Sequence, residues 1–195
     1  MSFITGTQAE LLYSMPAPVT KNTYTSQAVI SALAASAPVA RIPGGYFSEN
    51  PNPLGRCLYL QAFGSMGNAS AATFNPAVAL DTTAGTVSAN VVAFYSPALA
   101  TTSGITVQWQ CQVWITCTAF GESAGMTLQV NGQWGQTTVA SAGAGNAAGI
   151  SGQCAASFTG LTPATPYFVE LCGTWGTSAA ANTTTVQQMF LFGLN

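Results

Sequence analysis

The strongest structural constraint in the sequence is a long stretch, residues 105–118, in which apolar and polar residues alternate. Every second residue from Ile105 to Cys117 is apolar, and the residues between them are Thr or Gln, with Trp114 as the exception. A period of two places successive side chains on opposite faces of a β-strand. The stretch therefore predicts a long strand with one buried face and one exposed face.

Shorter stretches with strand character occur along the rest of the chain, at residues 57–64, 87–95, 126–130, 137–141, 153–159, 167–172 and 185–192. Asn131-Gly132 predicts a tight hairpin turn before Trp134, because this dipeptide favours two-residue turns. The glycine-rich residues 141–152 are predicted to form a loop. About eight strands without amphipathic helices between them predict an all-β protein, an antiparallel β-sandwich of jelly-roll or Greek-key type.

One local motif supports this architecture. Residues 160–171 read GLTPATPYFVEL, with Leu161, Pro163, Thr165, Tyr167 and Val169 at alternate positions. The motif resembles the tyrosine corner of fibronectin-type and related sandwiches, in which a Tyr hydroxyl bonds back to the chain between two sheets. It indicates a fold and says nothing about function.

The first 55 residues differ from the remainder. They contain six of the ten prolines and no clean alternation, and residues 26–37 fit one short helix that Ser26 caps and Pro38 ends. We therefore predict an extended, Pro-containing N-terminal arm over residues 1–55 and a β-sandwich domain over residues 56–195.

The beginning of this arm is apolar, and its prolines exclude a helix and remove hydrogen-bond donors. We predict that residues 3–24 dock on a neighbouring subunit; the alternative is that they lie across their own subunit's sheet. The residues assigned to this docking arm are Phe3, Leu11, Leu12, Tyr13, Pro16, Pro18 and Tyr24.

Charged residues are scarce, at 4% of the chain compared with about 25% in an ordinary soluble domain. Three basic side chains are too few to neutralise a phosphate backbone, so we expect no nucleic-acid binding. No run of 18 apolar residues predicts a membrane span, and residues 1–19 lack the basic region of a secretory signal. So little charge is typical of a chain that is packed among neighbours.

The sequence offers few groups for catalysis. There is no histidine to activate a nucleophile or bind zinc, so we predict no enzyme activity, metal or cofactor. A glycosidase needs only two carboxylates, for which Asp81, Glu122 and Glu170 are the candidates. Each is isolated in sequence, so we expect Asp81 and Glu122 to be solvated turn acids and Glu170 to lie at a sheet edge.

The five cysteines have irregular spacing, which does not indicate a disulfide framework. We expect at least three free thiols. Cys154 and Cys172 are the one pair that could bond, because they flank Pro163 at nine residues on each side.

Trp114 interrupts the polar face of the longest predicted strand. One interpretation is that another strand, the arm or a partner subunit covers the indole. The other is that the indole is a stacking platform for a sugar ring, since sugars suit surfaces rich in aromatic and amide groups and poor in charge.

Two segments carry a resemblance to a known class of proteins: LLYSMPAPVTKNTYTSQAVISALAASAPVARIPGGYF at residues 11–47 and WGTSAAANTTTVQQMFLFGLN at residues 175–195. With the Thr-, Ala- and Gly-rich strands between them, they resemble small virion structural proteins of tailed bacteriophages, notably the capsid decoration (cement) proteins of actinobacterial phages. The resemblance implies a non-enzymatic protein that is made in the host cytoplasm and stabilises the outer capsid surface.

The same resemblance implies the major capsid protein as partner, with the capsid shell as a second surface on which residues 3–24 could dock. The scarcity of charge and the single large aromatic on an otherwise polar face predict a homo-oligomer, a trimer in the first instance, with Trp114 covered. The alternative function is a carbohydrate-binding tail or surface adhesin module that recognises host glycans through exposed aromatic side chains.

Overall fold

The computed structural model describes residues 9–22, 24–32, 39–48, 54–67, 72–87, 90–94, 99–101, 106–121, 125–137, 151–177, 179 and 182–194. In chain order the strands are β1 (Ala9–Ser14), β2 (Val19–Asn22), β3 (Ala28–Val29), β4 (Ala40–Ile42), β5 (Cys57–Gly67), β6 (Ala72–Asp81), β7 (Val91–Ala93), β8 (Leu99–Thr101), β9 (Thr106–Gly121), β10 (Gly125–Thr137), β11 (Ser151–Leu161), β12 (Tyr167–Trp175) and β13 (Thr183–Leu194). Within these residues there is no helix, and hence none of the length and apolarity needed to cross a bilayer.

The strands form two antiparallel sheets that pack against each other, which confirms the predicted β-sandwich. Sheet A has the order β1-β13-β5-β9-β10-β11, with β2 beside β1 on the same side of β13. Sheet B has the order β3-β12-β6-β7, with β4 also paired to β12 and β8 also paired to β6. The chain crosses between the sheets several times, so strands that are distant in sequence become neighbours.

The core lies between the sheets, where the alternating apolar residues of β5, β9 and β13 meet those of β6 and β12. Trp109 and Trp134 stack in it at a centroid distance of 4.2 Å, and both are buried. Gly64 makes room for this pair, because a Cβ at that position would collide with the Trp109 ring and the Thr185 carbonyl. Close packing of this kind tolerates little change in volume.

The tyrosine corner is confirmed. It joins β11 of sheet A to β12 of sheet B, and the backbone N–H of Thr162 donates to the Tyr167 hydroxyl at 2.8 Å. The bond fixes the connection where the chain leaves one sheet for the other.

The N-terminal segment belongs to the sandwich. Residues of β1 pair with Phe190 to Leu194 in β13, and residues of β2 pair with Thr183 to Val186. The expectation that this segment lies away from its own subunit is therefore wrong for residues 9–22, and the alternative, in which it lies along its own sheet, is what the structure has. The reason is that the edge of β13 offers unpaired backbone groups that an extended segment can satisfy.

The individual arm residues follow from this pairing. Leu12, Tyr13 and Tyr24 pack against the core, and the Tyr24 hydroxyl donates to Thr184 Oγ1 at 2.9 Å. Pro16 and Pro18 lie between β1 and β2, where no ladder hydrogen bond is required of them, and Leu11 is exposed. Phe3 lies outside the described residues.

Two local predictions are wrong. The first is the helix over residues 26–37: its described part forms β3, and Ile30 N–H donates to the Leu171 carbonyl at 2.8 Å while Leu171 N–H donates to Ser31 Oγ at 3.1 Å. The segment thus satisfies its backbone against β12 and not within itself. Residues 33–37 lie outside the described part.

The second is the hairpin turn at Asn131-Gly132, because β10 runs through this dipeptide without interruption. Gly132 has another role: a Cβ there would approach the Gln112 carbonyl and the Cys154 sulfur closely. The glycine permits close packing of adjacent strands and does not turn the chain.

Candidate binding surface

A row of large apolar side chains crosses the outer face of sheet A, which is the side that faces away from sheet B. Leu11, Phe192, Tyr59 and Trp114 lie opposite one another on β1, β13, β5 and β9. The Tyr59 ring lies 5.1 Å from the Trp114 ring and 6.2 Å from the Phe192 ring, and Phe190 lies 6.2 Å from Phe192. We call these five residues the aromatic row.

The aromatic row is accessible in the single chain. Leu11 is 54% exposed and Trp114 is 38% exposed, and the other three members are partly buried. The position of Trp114 on the outer, mostly polar face is as the sequence predicts. Its coverage by a partner subunit stays a prediction.

A row of glutamines lies beside the aromatic row, two residues from it on β5 and β9, and continues onto β10 and β11. Gln61, Gln112, Gln133 and Gln153 are in register across β5, β9, β10 and β11. Gln133 Nε2 donates to Gln112 Oε1 at 2.8 Å, which orients both amides. Each amide presents donors and an acceptor without carrying a net charge.

An open groove of about 580 Å³ lies where the two rows meet. Its lining includes the Trp114 indole and the residues Asn131, Gln133 and Gln153. The groove therefore combines one flat aromatic ring with three side-chain amides, a set of groups suited to a neutral polar ligand.

At the described strand positions that are in register with the two rows, no side chain is charged. The positions that flank them carry Thr, Ser, Gln, Gly, Ala, Phe, Cys and Leu. Covering such a face requires little desolvation of charge, which is the largest cost of burying a surface.

The two described carboxylates proposed for glycosidase chemistry lie near each other on sheet B, and both are buried. Glu170 is 0% exposed and Asp81 is 6% exposed. The turn after β6 closes over them: Gly85 N–H donates to Glu170 Oε1 at 2.5 Å, and Thr83 N–H donates to Asp81 Oδ1 at 2.9 Å. The expectation of a solvated Asp81 and a sheet-edge Glu170 is therefore wrong.

Glu170 does not lie at a sheet edge because β12 pairs on both sides, with β3 and β4 on one side and β6 on the other. Burial raises the pKa of Glu170 from 4.5 to about 7, and the nearby Asp81 adds to this effect, while the Gly85 N–H opposes it. A carboxyl under a closed turn cannot reach a polysaccharide. Glu122, the third candidate, lies outside the described residues.

The cysteines are free thiols in the structure, and all except the partly buried Cys57 are buried. Burial raises the pKa of Cys154 to about 11 and raises that of Cys111 as well, so these thiols stay protonated and unreactive near neutral pH. In the described part of the chain, no group of three or more His, Cys, Asp or Glu could hold a metal ion.

No protein-family model matches this sequence, and no curated protein matches it. The surface described above is therefore the structural basis for inferring a function. Sequence reasoning identified Trp114 but not Tyr59, Phe190 or Phe192 as its neighbours, because cross-strand register is not written in a single sequence.

Proposed function

We propose that the protein is a non-enzymatic structural component of a virion, a decoration protein that binds the outer capsid through the outer face of sheet A. The observation that carries the proposal is the continuity of the aromatic row across four strands, whose described positions in register with it carry no charge. The resemblance to phage virion proteins supplies the setting. The burial of Asp81 and Glu170 under a turn favours a role without catalysis.

The size of the face suits such a contact. Six strands at about 4.8 Å span about 24 Å, and ten residues of a strand extend for about 33 Å, so the face covers on the order of 800 Å². A standard protein interface buries about 800 Å² on each partner. Aromatic anchors near the centre of an interface supply most of its binding energy.

The test is binding to capsids of the particle that contains the protein. Replacing two members of the aromatic row, in the double variant Tyr59→Ser and Phe192→Ser, removes the apolar contact at partly exposed positions. We expect a folded variant that no longer sediments with capsids, whereas Thr118→Ala, an exposed change at the end of β9, binds as the wild type does. Density for the protein away from the capsid shell, or undiminished binding of the double variant, would contradict the proposal.

A second function, binding of a neutral host glycan, is favoured by the groove beside Trp114. A sugar ring can stack its apolar face on an indole while side-chain amides bond its hydroxyl groups. Under this function the module belongs to a tail or surface adhesin. Glycan-array binding that Trp114→Ala and Gln133→Ala abolish, and that Gln108→Ala outside the groove retains, would support it. An array without signal would reject it.

A further inference from the structure

The two edges of sheet A are unlike. The edge formed by β1 and β2 carries several features that prevent pairing with another chain: Pro16 and Pro18 interrupt it, Glu10 and Lys21 charge it, and a register shift bends β1. Natural proteins use proline, charge and irregular geometry in this way to block sheet edges.

The opposite edge, β11, has no proline and no charge, and its one register shift lies near its end, between Phe158 and Leu161. Its eleven residues, SGQCAASFTGL, include no proline and no charged residue. Within the described part of the chain β11 pairs with β10 and with no other strand, and β7 of sheet B lies near it without hydrogen bonding. A long uncharged edge presents unpaired backbone donors and acceptors that favour addition of another strand.

We propose that β11 forms an antiparallel pair with β11 of a second copy. The two copies would be related by a two-fold axis near Ala156. In an antiparallel two-fold contact about Ala156, Ala155 of one copy lies opposite Ser157 of the other, and charges near the axis would lie close to like charges, so the contact requires a strand without charge there. β11 meets this condition because it is uncharged. The outward residues at its centre, Ala155 and Ser157, are small and exposed, which lets two copies approach to the usual strand spacing.

The pairing would join the sheets A of two copies into one continuous sheet. With the axis near Ala156, Gln153, which ends the glutamine row on β11, would lie opposite Thr159 of the second copy. This pairing is independent of capsid or glycan binding, and it specifies a two-fold contact in place of the trimer that the scarcity of charge and Trp114 predict.

The first measurement is the mass of the wild-type chain in solution by light scattering after size exclusion, at about 50 µM. We expect twice the 19.9 kDa chain mass. A monomer would overturn the proposal. A monomer is also the expected result if other residues of the same chain cover the edge of β11. A trimer would overturn it as well.

The second measurement compares the oligomeric states of two variants that carry opposite charges next to the two-fold axis. The double variant Ala155→Lys and Ser157→Lys, and its counterpart Ala155→Glu and Ser157→Glu, place like charges opposite each other, so each alone should be monomeric. Mixed together they should form a heterodimer. The control is Gln108→Lys and Gln110→Lys, which has the same spacing and exposure on β9, an interior strand, and should stay dimeric.

Both charged variants also lose a hydrogen bond, in which Ser157 Oγ donates to Gln129 Oε1 at 2.8 Å. The variant Ser157→Ala removes this bond without adding charge, and we expect it to remain a dimer. Circular dichroism verifies the fold of each variant. If the Lys variant stays dimeric, or if the mixed variants fail to associate, pairing through β11 is refuted.

Discussion

Neutralising Glu170 should change how the stability of the protein depends on pH. The carboxyl is fully buried on β12, and its pKa in the folded chain is about 7, compared with 4.5 for the exposed group. Between these two pH values the folded state holds a proton that the unfolded state has released. The free energy of unfolding therefore falls as pH rises through this window, and the stability present below pH 4.5 is lost once pH passes 7.

The size of the effect follows from the two pKa values. One proton changes the free energy of unfolding by about 1.4 kcal/mol per pH unit, so the whole window corresponds to a loss on the order of 3 kcal/mol. Glu170→Gln keeps an oxygen that can accept from Gly85 N–H but carries no charge at any pH. We expect it to equal the wild type within about 1 kcal/mol at pH 4 and to exceed it by up to about 3 kcal/mol at pH 8.

The assay is urea unfolding, followed by tryptophan fluorescence at pH 4, 6 and 8. Glu10→Gln, at an exposed position of β1, is the control and should retain the wild-type pH dependence. Asp81→Asn should reduce the loss, because it removes the negative charge that opposes ionisation of Glu170. Equal slopes for wild type and Glu170→Gln, or a wild-type stability that rises from pH 5 to pH 8, would refute the reasoning.

Four further predictions concern the core and the sheet edges. Trp134→Ala should lower the free energy of unfolding by about 3–5 kcal/mol in urea titrations, because the indole is fully buried against other rings. Gly64→Ala should destabilise far more than Gly135→Ala in thermal melts, since a Cβ meets backbone and a ring at the first position and nothing nearer than 3.8 Å at the second. Tyr167→Phe should cost about 0.5–1.5 kcal/mol in the same urea titrations, because it removes the hydrogen bond from the N–H of the exposed Thr162. Deleting residues 1–22 should abolish a cooperative melt or cause aggregation by light scattering, because it strips β1 and β2 from β13; a stable, monomeric truncated chain would show that these strands are dispensable.

Strands with a clean period of two could be predicted from the sequence. β5, β9, β11, β12 and β13 all lie where alternation or a β-rich composition indicates them. In β5, β9, β11 and β13 one face contacts the core and the other contacts solvent or polar neighbours, so the pattern of residues records the pattern of burial. β12 is buried on both faces, and its β-rich composition indicates the strand but not this burial.

Strands whose existence depends on a distant partner could not be predicted. The short β1 and β2 carry prolines between them and owe their place to the edge of β13. β6 contains Pro76, a residue that argues against an interior strand. It is tolerated because β7 and β8 pair with β6 on either side of that position, and Phe94 N–H donates to the Pro76 carbonyl at 3.0 Å.

Only one residue of the candidate surface could be predicted from the sequence, because the others depend on pairing between distant strands. Trp114 stood out as the one apolar residue on a polar face of β9. That Tyr59 and Phe192 complete a row with it depends on the register of β5 between β9 and β13. Register depends on pairings between distant segments, and a single sequence does not specify them.

The position of β13 has a consequence for how the protein is made. β13 lies between β5 and the strands β1 and β2, so the segments on both of its sides must wait until residues 183–194 have left the ribosome. Until then β5 has an open edge, and the N-terminal strands have no partner to pair with. Contacts of such long sequence separation slow folding, because loop closure precedes any gain from pairing. During synthesis the nascent chain therefore exposes apolar strands for longer than a sandwich built from local hairpins would, and its yield should depend on chaperones and on growth temperature.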